Sequence, residues 1–156
     1  ILSAGADQTF RVWNLGNQSE TIPLKGHTGP VVALAFSRDG TKLVTGSQDK
    51  TAKIWEAKTG ALLLTLKGHQ EVINTVSFNH DGTQVLTASA DQTAKIWDAE
   101  TGSVVNTIQG NMDPILGAVF GSDGVILFSR IAEKNAKIWN AKTGTTMHTL
   151  KGHTDM

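Results

Sequence analysis

The chain has 156 residues, of which 39% are hydrophobic and 18% are charged, a balance typical of folded domains and unlike that of disordered chains. Its 14 basic and 14 acidic residues give a formal net charge of zero, so charge favours neither nucleic acid nor an anionic membrane as a partner. The lack of cysteine excludes disulfides and thiol nucleophiles and fits a reducing, cytoplasmic compartment, and no apolar run approaches the ~18 residues that span a membrane.

The predicted elements begin with a partial unit, residues 1–25, in which the chain starts inside a strand. The next unit, residues 26–67, shows the full pattern of four short strands separated by turn signals. We name these strands a to d, and they are predicted at residues 30–36, 41–47, 51–55 and 61–66. Asp39-Gly40 predicts a tight hairpin turn between strands a and b. Strand a is apolar at successive positions, which predicts that neighbouring structure covers both of its faces.

The chain repeats this unit with a fixed period. The phrase GSQDKTAKIWEAKTG at residues 46–60 returns 42 residues later as ASADQTAKIWDAETG at residues 88–102. The four tryptophans, Trp13, Trp55, Trp97 and Trp139, keep the same spacing. The units after the second are predicted at residues 68–109 and 110–151, and residues 152–156 begin another.

Four short antiparallel strands in about 40 residues make one blade of a β-propeller. The sequence therefore predicts an all-β propeller of four-stranded antiparallel blades, with residues 1–156 as one part of it. The chain holds about 3.7 repeats, so we expect an open arc that is one segment of a longer propeller.

Three features at fixed spacing resemble the WD-repeat β-propeller family: a Gly-His pair, an Asp in the turn between strands b and c, and a Trp that closes strand c. His27 and His69 each precede their Asp by 22 residues, and each Asp precedes its Trp by six. The resemblance covers essentially the whole chain, although only Trp97-Asp98 is the literal dipeptide of the family's name.

The repeated polar residues predict a buried structural network. An Asp in a tight turn can accept hydrogen bonds from backbone N–H groups and from an imidazole, and a Ser or Thr hydroxyl can link that imidazole to an indole N–H. The resemblance implies this Trp–Ser/Thr–His–Asp network, complete in two units as His27, Thr45, Asp49 and Trp55, and as His69, Thr87, Asp91 and Trp97. The outer units hold part of it, as Ser3, Asp7 and Trp13 in the first and as Ser129 and Trp139 in the fourth.

The fourth unit departs from the pattern, because Asn111 replaces the His and Glu133 replaces the Asp. One interpretation is neutral drift in a blade that its neighbours stabilise. The other is a functional surface released from its structural role.

The same residue types could suggest a hydrolase, but the pattern disfavours one. A nucleophile must be exposed beside an oxyanion hole, whereas these hydroxyls are predicted on interior strands and recur with the repeat. His80 and His148 share no metal-ligand spacing with acidic residues. We therefore predict no catalytic residues, no cofactor and no metal. Lys53 and Lys95 stand two residues before a Trp, and we expect their stems to pack on the indole while their charges stay in water.

For function, the resemblance implies a non-enzymatic scaffold that binds other proteins or peptides. Two alternatives stay open: a self-assembling half-ring that dimerises, and a propeller module of a multidomain enzyme or signalling protein whose catalysis lies elsewhere. In either case the arc needs the rest of its own propeller, or a second copy, to close the ring.

The resemblance also implies a partner face, because the d–a loops and b–c turns of the family emerge on one side. In this sequence that face gathers Thr28, Gln48, Lys50, Gln70, Glu71, Gln92, Met112, Asp113 and Lys134. The set contains no aromatic anchor of the kind that dominates interface energies.

Overall fold

The computed structural model of the chain describes residues 2–4, 10–13, 21–23, 25–109, 114–121, 125–130 and 136–151, and side chains within 25–109, 114–121 and 136–151. The secondary structure of these residues consists of β-strands and turns. No helix in the described ranges is long and apolar enough to cross a membrane.

Fifteen strands are described, and they form four separate antiparallel sheets. The strands are β1 (Leu2–Ala4), β2 (Phe10–Trp13), β3 (Thr21–Pro23), β4 (Val31–Phe36), β5 (Lys42–Ser47), β6 (Thr51–Glu56), β7 (Leu62–Lys67), β8 (Ile73–Phe78), β9 (Gln84–Ser89), β10 (Thr93–Asp98), β11 (Val104–Gln109), β12 (Ile115–Phe120), β13 (Val125–Arg130), β14 (Ala136–Asn140) and β15 (Thr146–Leu150). Strands β1–β3 form the first sheet, and each later sheet pairs four consecutive strands in chain order. The predicted all-β fold of four-stranded antiparallel blades is therefore confirmed.

The turns follow from local side-chain chemistry. Between β4 and β5, the N–H of Gly40 donates to the carbonyl of Ser37 over 2.9 Å, and Gly40 has a φ of +71°, which glycine adopts without strain. The Asp39 carboxylate accepts from the Ser37 hydroxyl at 2.6 Å and from the Thr41 N–H at 3.0 Å. The Asp-Gly pair thus builds the tight turn that the sequence predicts, with its polar groups satisfied inside the turn.

The core lies between successive sheets. We define the forward face of a sheet as the face toward the next sheet in the chain, and the rear face as the opposite one. One cluster joins Val44, Ala52, Ile54 and Leu66 of the second sheet to Ile73, Val76, Phe78, Val85, Trp97 and Ala99 of the third. A second joins Leu86, Ala88, Ala94, Ile96 and Ile108 of the third sheet to Ile115, Ala118 and Ala141 of the fourth. Each large side chain buried this way contributes roughly 1.5–3 kcal/mol, so stacking is the main source of stability.

Gly46 on β5 stands where the second and third sheets approach each other closely. A Cβ atom at this position would lie 2.7 Å from Ile73 Cγ2 and 2.8 Å from Val76 Cγ1, which is inside van der Waals contact. The equivalent pair in the next interface is Ala88 and Ala118, so a larger residue than Gly46 on one sheet is matched by a smaller residue than Val76 on the other. The volume at this contact is therefore shared between the two sheets.

The expectation that strand a is covered on both faces is wrong for β4. Val32 is 47% exposed and Phe36 is 40% exposed. The edge position of strand a does not explain this, because Phe78, the equivalent of Phe36 on the edge strand β8, is 9% exposed in the core between the second and third sheets. Val32 stands at a register shift, where it has no partner residue on β5.

The forward face of the fourth sheet is open in the described structure. Leu150 is 48% exposed, whereas Leu66 and Ile108, at the equivalent positions, are each 1% exposed. Ile138 is likewise half-buried where its equivalents Ile54 and Ile96 are buried. The stack of sheets is thus an open arc, as predicted.

Candidate functional site

The turn between β5 and β6 is joined to the loop before β4 by the carboxylate of Asp49. Its Oδ2 atom lies 2.7 Å from Nδ1 of His27 and accepts from the Thr28 N–H at 2.9 Å. Its Oδ1 atom accepts from the N–H of Thr51 at 2.9 Å and from the Thr51 hydroxyl at 2.6 Å. One carboxylate therefore holds the b–c turn, the d–a loop and the start of strand c together.

The network continues from His27 into the sheet. Nε2 of His27 lies 2.8 Å from Oγ1 of Thr45, and the indole N–H of Trp55 donates to the same Oγ1 at 2.9 Å. One assignment of protons satisfies every group: the indole donates to the hydroxyl, the hydroxyl donates to Nε2, and Nδ1–H donates to the carboxylate. Thr45 is fully buried and Trp55 is 1% exposed, so these bonds lie in the interior.

The third sheet has the same arrangement. His69 Nδ1 lies 2.7 Å from Asp91 Oδ2, and its Nε2 lies 2.7 Å from Thr87 Oγ1. Trp97 donates to Thr87 at 2.8 Å, and the Gln70 N–H donates to Asp91 at 2.9 Å. The structure thus brings together the eight residues of the two units in which the sequence has all four.

The electrostatics of the His–Asp pair follow from its burial and its donors. Burial lowers the pKa of His27, against the hydrogen bond and the charge of Asp49, which raise it. Burial alone would raise the pKa of Asp49, but hydrogen bonds from Thr51, Thr28 and His27 outweigh it and lower the pKa to about 2. The pair at neutral pH is therefore a neutral imidazole beside an ionised carboxylate.

This arrangement favours a structural role for the network and disfavours a catalytic one. The hydroxyl of Thr45 accepts from Trp55, faces His27 and has no contact with solvent, so a substrate has no path to it. Within the described ranges, no cluster of His, Asp or Glu side chains could hold a metal ion.

The remaining residues assigned to the network from the sequence lie at the ends of the chain. Asp7, Asn111 and Glu133 fall outside the described residues. Ser3, Trp13 and Ser129 lie on β1, β2 and β13, whose backbones alone are described. Trp139 on β14 is half-buried.

Sequence reasoning missed two positions of the network. Thr51 and its equivalent Thr93 each donate to the Asp carboxylate through both the backbone N–H and the hydroxyl, and the Thr93 hydroxyl lies 2.7 Å from Asp91. Ser47 and Ser89 are fully buried, and each hydroxyl accepts from the N–H of the Asp two residues later. Both pairs are 42 residues apart, so the repeat period was the signal that could have found them.

The expectation that Lys53 keeps its charge in water is wrong. Lys53 is 7% exposed, and its ammonium group donates to the Thr65 hydroxyl on β7 at 2.9 Å. A Cβ atom on Gly26 would lie 3.9 Å from Lys53 Cε, so the d–a loop passes close to the end of the lysine stem. Lys95 makes the equivalent bond to Thr107 at 3.2 Å and is half-buried.

The turns above this network carry the predicted partner face. The described members are exposed: Thr28, Gln48, Lys50, Gln70, Glu71 and Gln92. Lys50 of the second sheet lies 3.3 Å from Glu71, which precedes the third sheet. Lys50 and Gln92 both have left-handed backbones, with φ of 69° and 72°. Met112, Asp113 and Lys134 fall outside the described residues.

Comparisons with known proteins identify relatives of this architecture. The family model "WD domain, G-beta repeat" (WD40) matches residues 17–56 and 60–98, which together are just over half of the chain. Among solved structures, the crystal structure of the computationally designed Ika8 protein matches with a TM-score of 0.85 at 29% identity, over 99% of this chain and 46% of that one. The chain thus spans a little under half the length of that designed protein. A search of curated proteins gave no match.

Proposed function

Because the chain belongs to the WD40-repeat family, we propose that it is a non-enzymatic scaffold that binds other proteins or peptides. The observation that carries the proposal is the location of the polar groups within each blade. The groups that could do chemistry are bonded to one another in the interior, whereas the turns directly above them are exposed. Rigid strands that present exposed turns are a common basis for recognition.

The backbone of these turns supports a role for their side chains. A left-handed conformation costs a residue other than glycine roughly 1–2 kcal/mol, and glycine would avoid that cost. Lys50 and Gln92 nevertheless occupy such positions with long polar side chains in solvent. Strained positions cluster at functional sites, so this pair is where we place the centre of the partner face.

The proposed face is polar and rigidly supported. Asp49 and Asp91 tie the b–c turns to the d–a loops, so the exposed side chains of both segments keep a fixed spacing. The Lys50–Glu71 ion pair, which also belongs to this face, joins two adjacent blades. A partner that lies across the blades would meet amide and charged groups, and would bind chiefly through hydrogen bonds.

Photo-crosslinking tests this proposal. A benzoylphenylalanine residue replaces Gln92 on the proposed face, or Val105 on the outer strand β11 as the control, since Val105 is 54% exposed. In extracts of the source cells we expect a discrete protein adduct from position 92 and none from position 105. No adduct from position 92, or the same adduct from both positions, would refute the partner face.

A second proposal concerns the open forward face of the fourth sheet. We propose that the first sheet of a second copy covers it, because Leu150 is 48% exposed where Leu66 and Ile108 are each 1% exposed. The chain matches 46% of the designed protein's length, so two copies approach the length of that whole chain. A twofold pair of arcs would cover both open ends at once.

Light scattering distinguishes a dimer from a monomer by its mass. We expect the chain to have about twice its monomer mass of 16.6 kDa, and Leu150→Glu to return it to the monomer mass. Val105→Glu is the matched control, because its side chain is exposed on an outer strand and should leave the dimer intact. A wild-type chain at the monomer mass would overturn this proposal.

A further inference from the structure

Three side chains of the third unit donate hydrogen bonds to the backbone of the fourth. Asn74 and Thr75 lie on β8 and Asn106 lies on β11, so the donors stand on the two opposite edge strands of the third sheet. Nδ2 of Asn106 donates to the carbonyl oxygens of Ala141 and Lys142, at 3.0 and 3.2 Å, as the two N–H groups of an amide allow. One edge of the third sheet thus holds the turn between β14 and β15.

The bonds at the other edge involve a β-bulge. Leu116 on β12 stands at a register shift, where it has no partner residue on β13. The Thr75 hydroxyl donates to the Leu116 carbonyl at 2.8 Å, and Nδ2 of Asn74 donates to the Ile115 carbonyl at 2.9 Å. Asn74 stands at the equivalent bulge of β8. A bulge interrupts the pairing within a sheet, and here the bulged segments of two neighbouring sheets bond to each other.

The preceding interface, between the second and third sheets, has no side-chain donors at these positions. The equivalent residues of the second unit are Val32, Ala33 and Leu64. A Cβ atom on Gly102 would lie 3.7 Å from Leu64 Cδ2, and a Cβ atom on the equivalent Gly144 would lie 3.5 Å from Asn106 Nδ2. Leu64 and Asn106 therefore occupy the same place against the next c–d turn, but the amide of Asn106 can donate and the leucine side chain cannot.

The fourth unit depends on its neighbour more than the second and third units do. Its sequence has Asn111 and Glu133 in place of the His and Asp that join the d–a loop to the b–c turn in those units. Its forward face is open, with Leu150 48% exposed. Its rear face packs on the third sheet through Ile115 and Ala118. Additional bonds across this one interface would therefore stabilise the fourth blade selectively.

We propose that Asn74, Thr75 and Asn106 fasten the fourth blade to the third and compensate for the two network residues that its sequence lacks. The bonds lie at opposite edges of the third sheet, so they restrain rotation of the fourth blade as well as its separation from the third. This attachment explains how the fourth unit tolerates substitutions in its own network. It does not depend on what the exposed b–c turns bind.

Amide hydrogen exchange tests the proposal in the triple variant Asn74→Val, Thr75→Ala and Asn106→Leu. These substitutions give the third unit the residues of the second, which already fit the equivalent strands. We expect exchange in β14 to become at least tenfold faster, while exchange in β5 and β6 changes less than threefold. Ser77→Ala is the matched control on β8, because the buried Ser77 hydroxyl has no hydrogen-bond partner within the described residues and the second unit has Ala35 there. The control should change exchange in β14 less than threefold.

Three results would overturn the proposal. Exchange in β14 within threefold of the unmodified chain would mean that apolar packing alone holds the fourth blade. Equal acceleration in β5 and β14 would mean that the bonds support the whole chain and not this interface. The same acceleration in Ser77→Ala would mean that the loss of any polar group on β8 releases the blade. Asn106→Leu alone, which keeps both bonds from β8, should accelerate exchange in β14 by an intermediate factor, and circular dichroism checks that each variant is folded.

Discussion

Replacement of His69 by Ala tests the buried network through folding stability. His69 is 5% exposed, and its Nε2 is the acceptor for the hydroxyl of Thr87, which is fully buried. The substitution leaves that hydroxyl with only the Lys95 carbonyl as its acceptor, at the long distance of 3.5 Å, and a poorly paired buried donor costs about 1–3 kcal/mol. Asp91 loses less, because its Oδ2 keeps the Gln70 N–H at 2.9 Å. We therefore expect the free energy of unfolding to fall by about 1–3 kcal/mol.

Urea unfolding followed by tryptophan fluorescence measures this loss, with His80→Ala as the matched control. His80 is exposed and contacts Arg38, so its loss should cost less than about 0.5 kcal/mol. Adding Thr87→Val removes the stranded hydroxyl, so His69→Ala should cost less in that background than alone. Equal losses for the two histidines, or strict additivity with Thr87→Val, would refute the reasoning.

Three further predictions address packing, pH and local stability. Gly46→Ala should destabilise by about 1–3 kcal/mol because its Cβ would lie 2.8 Å from Val76 Cγ1, and Val76→Ala in the same chain should recover part of that loss in urea unfolding. The pKa of His27 is lowered and that of Asp49 is lowered to about 2, so both groups stabilise the fold at neutral pH. Stability should therefore fall as pH drops below 6.5, the pKa of an imidazole in an unfolded chain, and again from 3.8 toward about 2; equal urea midpoints at about pH 7.5 and pH 5.5 would contradict this. In the monomeric Leu150→Glu variant, amide hydrogen exchange should be faster in β14 and β15 than in β10 and β11, because the forward face of the fourth sheet is then uncovered, and equal protection of the two pairs of strands would contradict this.

Much of the fold could be predicted because the repeat carries redundant information. The second and third units place their Trp, their turn Asp and their apolar strands at the same spacing, so an error in one unit would disagree with the other. The positions of His27, Thr45 and Asp49 relative to Trp55 followed from that register, and the structure places these side chains within hydrogen-bonding distance of one another.

The wrong predictions, and the features that the sequence did not predict, depend on what packs around a residue in the folded chain. A lysine is expected to expose its ammonium group, but a loop from another part of the chain passes close to the stem of Lys53. Val32 is apolar yet exposed, as is its equivalent Leu116, and each stands at a register shift where it has no partner residue on strand b. One cavity of about 280 Å³ is lined by Phe36, Phe78 and Phe120, which come from three blades, so it forms only when the sheets stack. These properties arise from long-range packing, which a single sequence does not display.

The central claim is that the interior network serves folding while the exposed b–c turns serve binding. The double variant Lys50→Gly and Gln92→Gly tests whether these turn side chains serve binding and not folding, because glycine relieves the left-handed backbone and removes the two side chains. With benzoylphenylalanine at Gln70, we expect the yield of the partner adduct to fall at least tenfold, while the free energy of unfolding stays the same or rises by up to about 2 kcal/mol. An undiminished adduct in this stable variant would contradict the account.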